Sequence, residues 1–92
     1  MSIQEVNRIK THYPVGTRIE LISMDDPYAP VPSGTRGTVD YVDDGGQLHM
    51  RWDNGRTLAV IPGVDSFRKL TPEEIEAENQ SEDISEDNPI SM

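Results

Sequence analysis

The chain contains no cysteine, which excludes disulfides and every zinc site built on thiolate ligands. It also lacks an apolar run of membrane length and does not open on a signal-peptide pattern, so we expect a cytoplasmic protein that binds no membrane. The two histidines, His12 and His49, stand far apart and form no pattern such as His-x-x-x-His. We therefore expect neither a metal site nor a cofactor.

Catalytic motifs are missing as well. Ser66 lacks the Gly-x-Ser-x-Gly setting of a nucleophile elbow, and no glycine-rich loop of the phosphate-binding kind occurs. The acidic pairs Asp25-Asp26 and Asp43-Asp44 lack the spacing and the closing glutamate of a calcium-binding EF-hand. Because no nucleophile, base or metal constellation can be assembled, we expect a protein that has no catalytic residues and is not an enzyme.

Basic residues are absent from the C-terminal part. From residue 73 onward there are eight acidic residues and no Lys or Arg, whereas residues 1–72 carry nine acidic and eight basic residues, a formal charge of -1. The body of the protein lacks the basic surface that gives non-specific affinity for nucleic acid, so we expect no direct nucleic-acid binding. Residues 80–92 are acidic and poor in large apolar residues, which predicts a disordered tail.

The first 13 residues have the pattern of a short helix. Ser2 and Glu5 have the spacing of a capping box. Apolar residues then recur at helical intervals, at Ile3, Val6, Ile9 and Tyr13. Pro14 ends the pattern, so we predict a helix within residues 1–13. Its apolar stripe packs across the rest of the domain or, as the alternative, contacts a partner or a second copy.

Residues 14–70 have the period-two alternation of strands. Three prolines between Met24 and Gly34 predict a long loop, and Asn54-Gly55 is typical of a type I′ hairpin turn. The predicted strands are Thr17–Ser23, a second from Gly34 through Val42, a third around Leu48–Trp52, Arg56–Ile61 and Ser66–Leu70. Five short strands with one long loop predict a mainly β fold, a small SH3-like five-stranded barrel.

A second helix is predicted after the barrel. Thr71 has the position of a cap, Pro72 suits the first helical position, and Glu74 completes a capping box. This pattern predicts a short helix over residues 71–79. The sequence thus divides into a helix at 1–13, a barrel at 14–70, a helix at 71–79 and a tail at 80–92.

Four blocks of the sequence match a known pattern: Tyr13–Leu21, Met24–Val39, Trp52–Gly55 and Leu58–Phe67. Together they resemble an uncharacterised family of small bacterial and phage domains, the domain-of-unknown-function family DUF4314, over roughly residues 8–68. The resemblance implies an SH3-like fold and an origin on phages or other mobile elements. It implies no catalytic residues, because none are established for that family.

A binding site is predicted by analogy of fold. In SH3-like barrels ligands bind where the long first loop faces the later hairpins. The predicted ligand- or partner-binding residues are Asp25, Asp26, Tyr28, Trp52, Asp53, Asn54, Arg56, Pro62, Asp65 and Phe67. A groove lined by aromatic residues and proline, with acids at its rim, suits an extended basic peptide and equally a small polar molecule.

Several of these residues have a second interpretation. Trp52 alternates with Leu48 and Met50, which favours a place in the core. Tyr28, between prolines, either pins its own loop or meets a partner. Arg56 is placed to pair with Asp53 across the hairpin.

Three functional hypotheses follow. The first is a protein-interaction module of bacterial or phage origin that binds a protein or peptide through the long-loop face, and homo-oligomerisation is left open. The second is a phage counter-defence protein that sequesters a small molecule or nucleotide signal. It requires several arginines among Arg18, Arg36, Arg51, Arg56 and Arg68 to converge on one face. The third is an acidic tail that imitates nucleic acid and blocks a DNA-binding protein.

Overall fold

The computed structural model describes residues 2–80. The elements in chain order are α1 (Ile3–His12), β1 (Arg18–Ser23), β2 (Arg36–Val42), β3 (Leu48–Trp52) and β4 (Ser66–Lys69). A second helix, α2, spans residues 72–80. The prediction of a mainly β domain with two short helices is confirmed. The predicted disordered tail lies outside the described residues, apart from Gln80, which is the last described residue of α2.

The four strands form one antiparallel sheet in the order β3-β2-β1-β4. Side chains alternate between its two faces, as they must in a strand. One face, together with the long loop, builds the apolar core from Ile19, Leu21, Val31, Val39, Leu48, Met50, Trp52 and Val60. The opposite face, called here the polar face, carries charged residues such as Arg18 and Glu20 of β1, Arg36 of β2 and Arg68 of β4.

Helix α1 begins with the predicted capping box. The Ser2 hydroxyl accepts a hydrogen bond from the Glu5 backbone N–H at 3.2 Å, and the Glu5 carboxylate accepts one from the Ser2 N–H at 3.0 Å. Val6 is buried, and Ile9 packs against the core. Val6 and Ile9 thus pack within the domain, one of the two roles predicted for the stripe, and their burial stabilises the helix, whereas Ile3 is 77% exposed.

The predicted strand Arg56–Ile61 is wrong: residues 56–61 form no strand, and the one β-bridge within them joins Val60 to Leu48. The Trp52 N–H also donates to the Arg56 carbonyl at 2.8 Å, in the same hairpin register as that bridge. Between these two pairs, the Trp52 indole Nε1 donates to the Leu58 carbonyl at 2.8 Å. In a continuous ladder the Leu58 carbonyl would accept a hydrogen bond from a backbone N–H. Here it accepts one from the indole instead. The five-stranded barrel is therefore replaced by a four-stranded sheet.

The turn at Asn54-Gly55 also differs from the predicted type I′ turn. Gly55 has a φ of 90°, but among the described residues only glycines have positive φ, so Asn54 does not. The Gly55 N–H donates to the Trp52 carbonyl at 2.9 Å. Because Trp52 pairs with Arg56, three residues form the loop, and the glycine takes its left-handed position. Asp53 stays attached to β2 instead, since its N–H donates to the Arg36 carbonyl at 2.9 Å.

Helix α2 begins at the predicted cap. The Thr71 hydroxyl accepts a hydrogen bond from the Glu74 N–H at 3.1 Å, and Glu74 Oε1 accepts one from the Thr71 N–H at 2.8 Å. The reciprocal pair satisfies two backbone donors that the first turn of a helix leaves without partners. Within residues 2–80, neither helix has the length and apolar character that crossing a membrane requires.

Candidate functional site

The long loop, residues 24–34, is fixed to the domain at several points. Val31 is 2% exposed and belongs to the core. The Asp65 carboxylate accepts hydrogen bonds from the Asp25 N–H at 2.8 Å and from the Ile61 N–H at 2.9 Å. Arg56 Nη2 donates to the Ala29 carbonyl at 2.6 Å. These contacts attach a proline-rich segment to the domain, although it forms no strand of its own.

A shallow groove of about 190 Å³ lies between the long loop and the segment that precedes β4. It is lined by Met24, Asp25, Asp26, Pro27, Leu58, Ala59, Ile61 and Asp65. Asp65 is almost fully buried, and both of its oxygens are engaged by backbone donors. In the part of the chain that the structure describes, the exposed Asp25 carboxylate accepts no hydrogen bond. The groove thus has an apolar floor, and the Asp25 carboxylate at its edge is accessible to a ligand.

Tyr28 follows Pro27, which lines this groove, and is 92% exposed. The Asp26 carboxylate fixes its backbone, accepting hydrogen bonds from the Tyr28 N–H at 2.8 Å and from the Ala29 N–H at 3.3 Å. Because the Tyr28 residue is 92% exposed, its ring does not pin the loop against the domain, which was one of the two roles predicted for it. The groove and this ring are called the loop face below, defined by Asp25, Asp26, Pro27, Tyr28 and Ile61.

The remaining predicted site residues are dispersed. Trp52 is 3% exposed and lies in the core, as its alternation favoured. The Asp53 carboxylate faces Arg18 at 2.7 Å, on the polar face of the sheet. Asn54 accepts a hydrogen bond from the Arg56 N–H within the hairpin turn. Phe67 packs edge-on against Tyr13, with ring centroids 5.6 Å apart. Pro62 lies in the bridged turn with Asp65.

A second cluster lies on the polar face. The guanidinium groups of Arg18, Arg36 and Arg68, called here the arginine face, share a set of carboxylates. Those carboxylates are Glu20 and Asp53 from the sheet and its hairpin, and Glu74 and Glu78 from α2. The shared set keeps three like charges close together on one surface.

The contacts of α2 with this cluster are short. Glu78 Oε2 lies 2.7 Å from Arg18 Nη2 and 3.1 Å from Arg36 Nη1. Glu74 Oε2 lies 2.7 Å from Arg68 Nη2, and its Oε1 lies 2.9 Å from Arg68 Nη1. Both ends of the Arg68 fork are thus bound by one carboxylate, which is the strong geometry of this ion pair.

The ion pairs shift the acid–base properties of the carboxylates. Hydrogen bonds from Arg68, and then from the Thr71 backbone, lower the pKa of Glu74 to about 2. Hydrogen bonds from Arg18 lower the pKa of both Glu78 and Asp53 below their ordinary values. All three side chains are therefore ionised at neutral pH, and each favours its charged form because a guanidinium donates to it.

The convergence of Arg18, Arg36 and Arg68 was one outcome that the sequence left open. Arg51 lies opposite Thr38 on the same face of the sheet, but its Nε is 3.7 Å from Asp40, and Arg56 bonds to the long loop. Sequence reasoning missed the part played by Glu74 and Glu78, because it assigns Glu74 only to the capping box of α2 and gives Glu78 no contact with the sheet. Their spacing of one helical turn was the available signal, since residues four apart share one helix face.

A third polar group lies at the β2–β3 hairpin. His49 Nε2 is 2.8 Å from Asp43 Oδ2, and the His49 ring stacks on Tyr41 with centroids 4.3 Å apart. Asp43 also accepts hydrogen bonds from the Gly45 and Gln47 backbone. The hydrogen bond with His49, followed by that from Gln47, lowers the pKa of Asp43. Such a set of bonds orders the hairpin turn, as an aspartate at a turn commonly does.

A comparison with protein-family models identifies the family of the chain. The model described as Domain of unknown function (DUF4314) matches residues 2–70. The chain belongs to this family. The match contains α1, all four strands, the loop face and the three arginines, and it ends before α2. No curated protein and no solved structure matches the chain.

Proposed function

We propose that this DUF4314 domain is a non-enzymatic protein-interaction module that binds a peptide segment of a partner across the loop face. One observation carries the proposal: Tyr28 is 92% exposed on a loop that Arg56, Asp65 and Asp26 hold in place. Tyrosines that are presented in this way recur as interface anchors, because they bury a large area while losing little conformational entropy.

The chemistry of the loop face selects the ligand. Met24, Pro27, Leu58 and Ile61 provide an apolar floor, and the Asp25 carboxylate stands at the rim. A partner segment that places one apolar side chain in the groove and a Lys or Arg beside Asp25 matches both features. The groove volume of about 190 Å³ suits a single side chain and is below the 300–1,000 Å³ usual for small-molecule pockets.

The family resemblance also supports a proposal for the cellular location and the fold of the module. We place the module in the cytoplasm of a bacterium, or of a bacterium that carries a phage. We also retain an SH3-like arrangement as the fold proposal, in which the 56–61 segment stands for the missing strand. It is supported by the Val60–Leu48 bridge and by the long loop at its usual place.

The two alternative hypotheses rank lower. Sequestration of an anionic small molecule needs free basic groups, and although Arg18, Arg36 and Arg68 converge, each already faces carboxylates of the chain itself. Imitation of nucleic acid rests on the eight acidic residues from Glu73 onward. Four of them lie outside the described part, and of the four within it, Glu74 and Glu78 face arginines of the chain itself. The loop face is therefore the better-supported site.

Selection of peptides tests the proposal. A random peptide library is displayed against the immobilised full chain, and the affinities of selected peptides are measured by fluorescence polarisation. We expect selected sequences to pair an apolar residue with a nearby Lys or Arg. Tyr28→Ala is expected to weaken binding about tenfold or more. Asp25→Asn is expected to weaken it less and to reduce its salt dependence.

Tyr41→Ala is the matched control, because Tyr41 is also exposed but lies on β2 against His49 and does not line the groove. Intact folding of each variant is checked by the fluorescence of Trp52. If the peptides bind the Tyr28→Ala and Tyr41→Ala proteins equally well, the loop face is not the binding site.

A further inference from the structure

Helix α2 is attached to the domain by charge. Its half-buried side chains are Glu74, Ile75 and Glu78, and none of its described residues is buried or belongs to the apolar core. The hydrogen bonds that join it to the sheet run from Arg18, Arg36 and Arg68 to the two glutamates. Helices are normally held in place by an apolar stripe. For α2, the carboxylates of Glu74 and Glu78 provide most of the contacts with the sheet.

We infer that the arginine face is a docking site for an acidic helix of a partner protein, and that α2 occupies this site within the same chain. The observed occupant defines the chemistry. Glu74 and Glu78 lie one helical turn apart and reach Arg68 on one side and Arg18 with Arg36 on the other. A partner helix with two carboxylates at this spacing presents the same charges to the same three guanidinium groups.

The energetics of α2 allow exchange. Ion pairs at partly exposed positions contribute little stability each, and salt screens them. Arg36 and Glu78, for instance, retain 33% and 25% exposure of their side chains. With no buried apolar residue to add to these pairs, α2 is an element of low local stability.

The extent of the family match also supports an arginine face that can be separated from α2. Arg18, Arg36 and Arg68 lie within the matched residues 2–70, and α2 lies outside them. The part of this chain that the family model matches therefore contains the arginine face without its cover. In this chain the cover is joined directly to β4 through Leu70 and Thr71, so it returns to the face at a high effective concentration.

The surroundings of the arginines favour spaced carboxylates over a continuous polyanion. Glu20 lies 2.9 Å from Arg68, and Asp53 lies 2.7 Å from Arg18. These fixed negative charges repel a nucleic-acid backbone passing over the same surface, whereas two carboxylates at one-turn spacing fit between them. The formal charge of -1 over residues 1–72 likewise gives no long-range attraction for nucleic acid.

The test uses the full chain with ¹⁵N-labelled arginine side chains, observed by NMR. Glu74→Gln combined with Glu78→Gln removes the cover without shortening the chain. Glu73→Gln combined with Glu76→Gln is the matched control, since both of these glutamates are exposed on the same helix and the charge change is equal. The probe is a synthetic peptide with the sequence of residues 71–80 and blocked ends. NMR is suited to it because a ten-residue helix is marginal in water and binds weakly.

We expect the peptide to shift the Arg18, Arg36 and Arg68 side-chain signals of the Glu74→Gln, Glu78→Gln protein. Half of the shift is expected at roughly one fifth or less of the peptide concentration that the wild type or the control variant needs, because their own α2 competes at millimolar effective concentration. A peptide with glutamine in place of its two matching glutamates is expected to cause no shift. Dispersed amide signals confirm that each variant is folded.

Three results would overturn the inference. One is an equal peptide requirement in all three proteins, and another is an absence of arginine shifts at millimolar peptide. The third is a twenty-nucleotide single-stranded DNA that shifts the same signals at lower concentration than the peptide, which would assign the arginine face to a polyanion. None of these results bears on peptide binding at the loop face, so the two proposals fail separately.

Discussion

Trp52 packs so closely on Gly37 of the neighbouring strand that a Cβ at position 37 would lie 2.7 Å from the Trp52 Cε3 atom and 3.0 Å from the Arg51 carbonyl oxygen. Gly37 also pairs with Ile19 on its other side, so the contact lies in the middle of the sheet. We expect Gly37→Ala to lower the free energy of unfolding by about 1–3 kcal/mol, the usual cost of overpacking a core. Urea denaturation followed by Trp52 fluorescence measures it.

Gly45→Ala is the control for this prediction. Gly45 lies in the β2–β3 turn without a positive φ, and an added Cβ would meet only the Asp43 side chain, at 3.4 Å. We expect a change within about 0.5 kcal/mol. Equal stability of the Gly37→Ala and wild-type proteins would mean that the indole does not occupy this position.

Asp65 is a structural carboxylate on which the long loop depends. Its two oxygens bind the Asp25 and Ile61 N–H groups, so Asp65→Ala leaves both donors without their partner. We expect a loss of about 1–3 kcal/mol in the free energy of unfolding and faster hydrogen exchange at these two amides. Asp44→Ala, which removes an exposed carboxylate that pairs, among the described residues, with Lys10 alone, is expected to leave both measurements nearly unchanged. Unaltered exchange at Asp25 in the Asp65→Ala protein would contradict the assigned role.

Arg56 connects the hairpin to the long loop through the Ala29 carbonyl. We expect Arg56→Ala to change global stability by less than about 1 kcal/mol, because the bond lies at the surface. Peptide affinity at the loop face should still fall, since a loop that is no longer held must be ordered on binding. Calorimetry of a selected peptide measures the effect, with Arg51→Ala as the control. A loss of affinity that is no larger in the Arg56→Ala protein than in this control would argue against preorganisation.

The attachment of α2 should depend on acid pH. The pKa of Glu74 falls from its ordinary value of 4.5 to about 2 through Arg68, and the pKa of Glu78 is lowered through Arg18. A carboxylate with a lower pKa in the docked state stabilises docking above its ordinary pKa, and this contribution is lost as the pH falls toward the lowered value. We therefore expect α2 to detach between about pH 4.5 and pH 2.

Amide NMR signals of residues 72–80 follow this transition, and Trp52 fluorescence reports the core. The Glu74→Gln, Glu78→Gln protein should lack the transition, because neither side chain titrates. If the α2 signals of the wild type persist until the core unfolds, the ion pairs are not what holds the helix.

Local patterns of the sequence were enough to place both helices and four strands. The capping boxes at Ser2 and Thr71 mark the two helix starts correctly, because capping depends on residues only three apart. The strand expected at Arg56–Ile61 failed for a non-local reason. The turn takes three residues, and the Trp52 indole competes for the Leu58 carbonyl, and neither fact follows from alternation.

The site was harder to predict than the fold. Asp25, Asp26 and Asp65 do meet at one groove, as the position of the loop implied. Asp53 is three residues from Arg56 in sequence, yet it faces Arg18 on the opposite side of the sheet, because its backbone stays paired with β2. Which face a turn residue joins depends on strand register, and one residue of register reverses the face.

The loop face is tested most directly by photo-crosslinking at Tyr28. The full chain is produced in its host cell with benzoylphenylalanine in place of Tyr28 or, as the matched position, Tyr41, and adducts are identified by mass spectrometry after irradiation. An interaction module that uses the loop face predicts one discrete protein adduct from position 28 and none of that protein from position 41. The same adduct from both positions, or from position 41 alone, would contradict binding through this face.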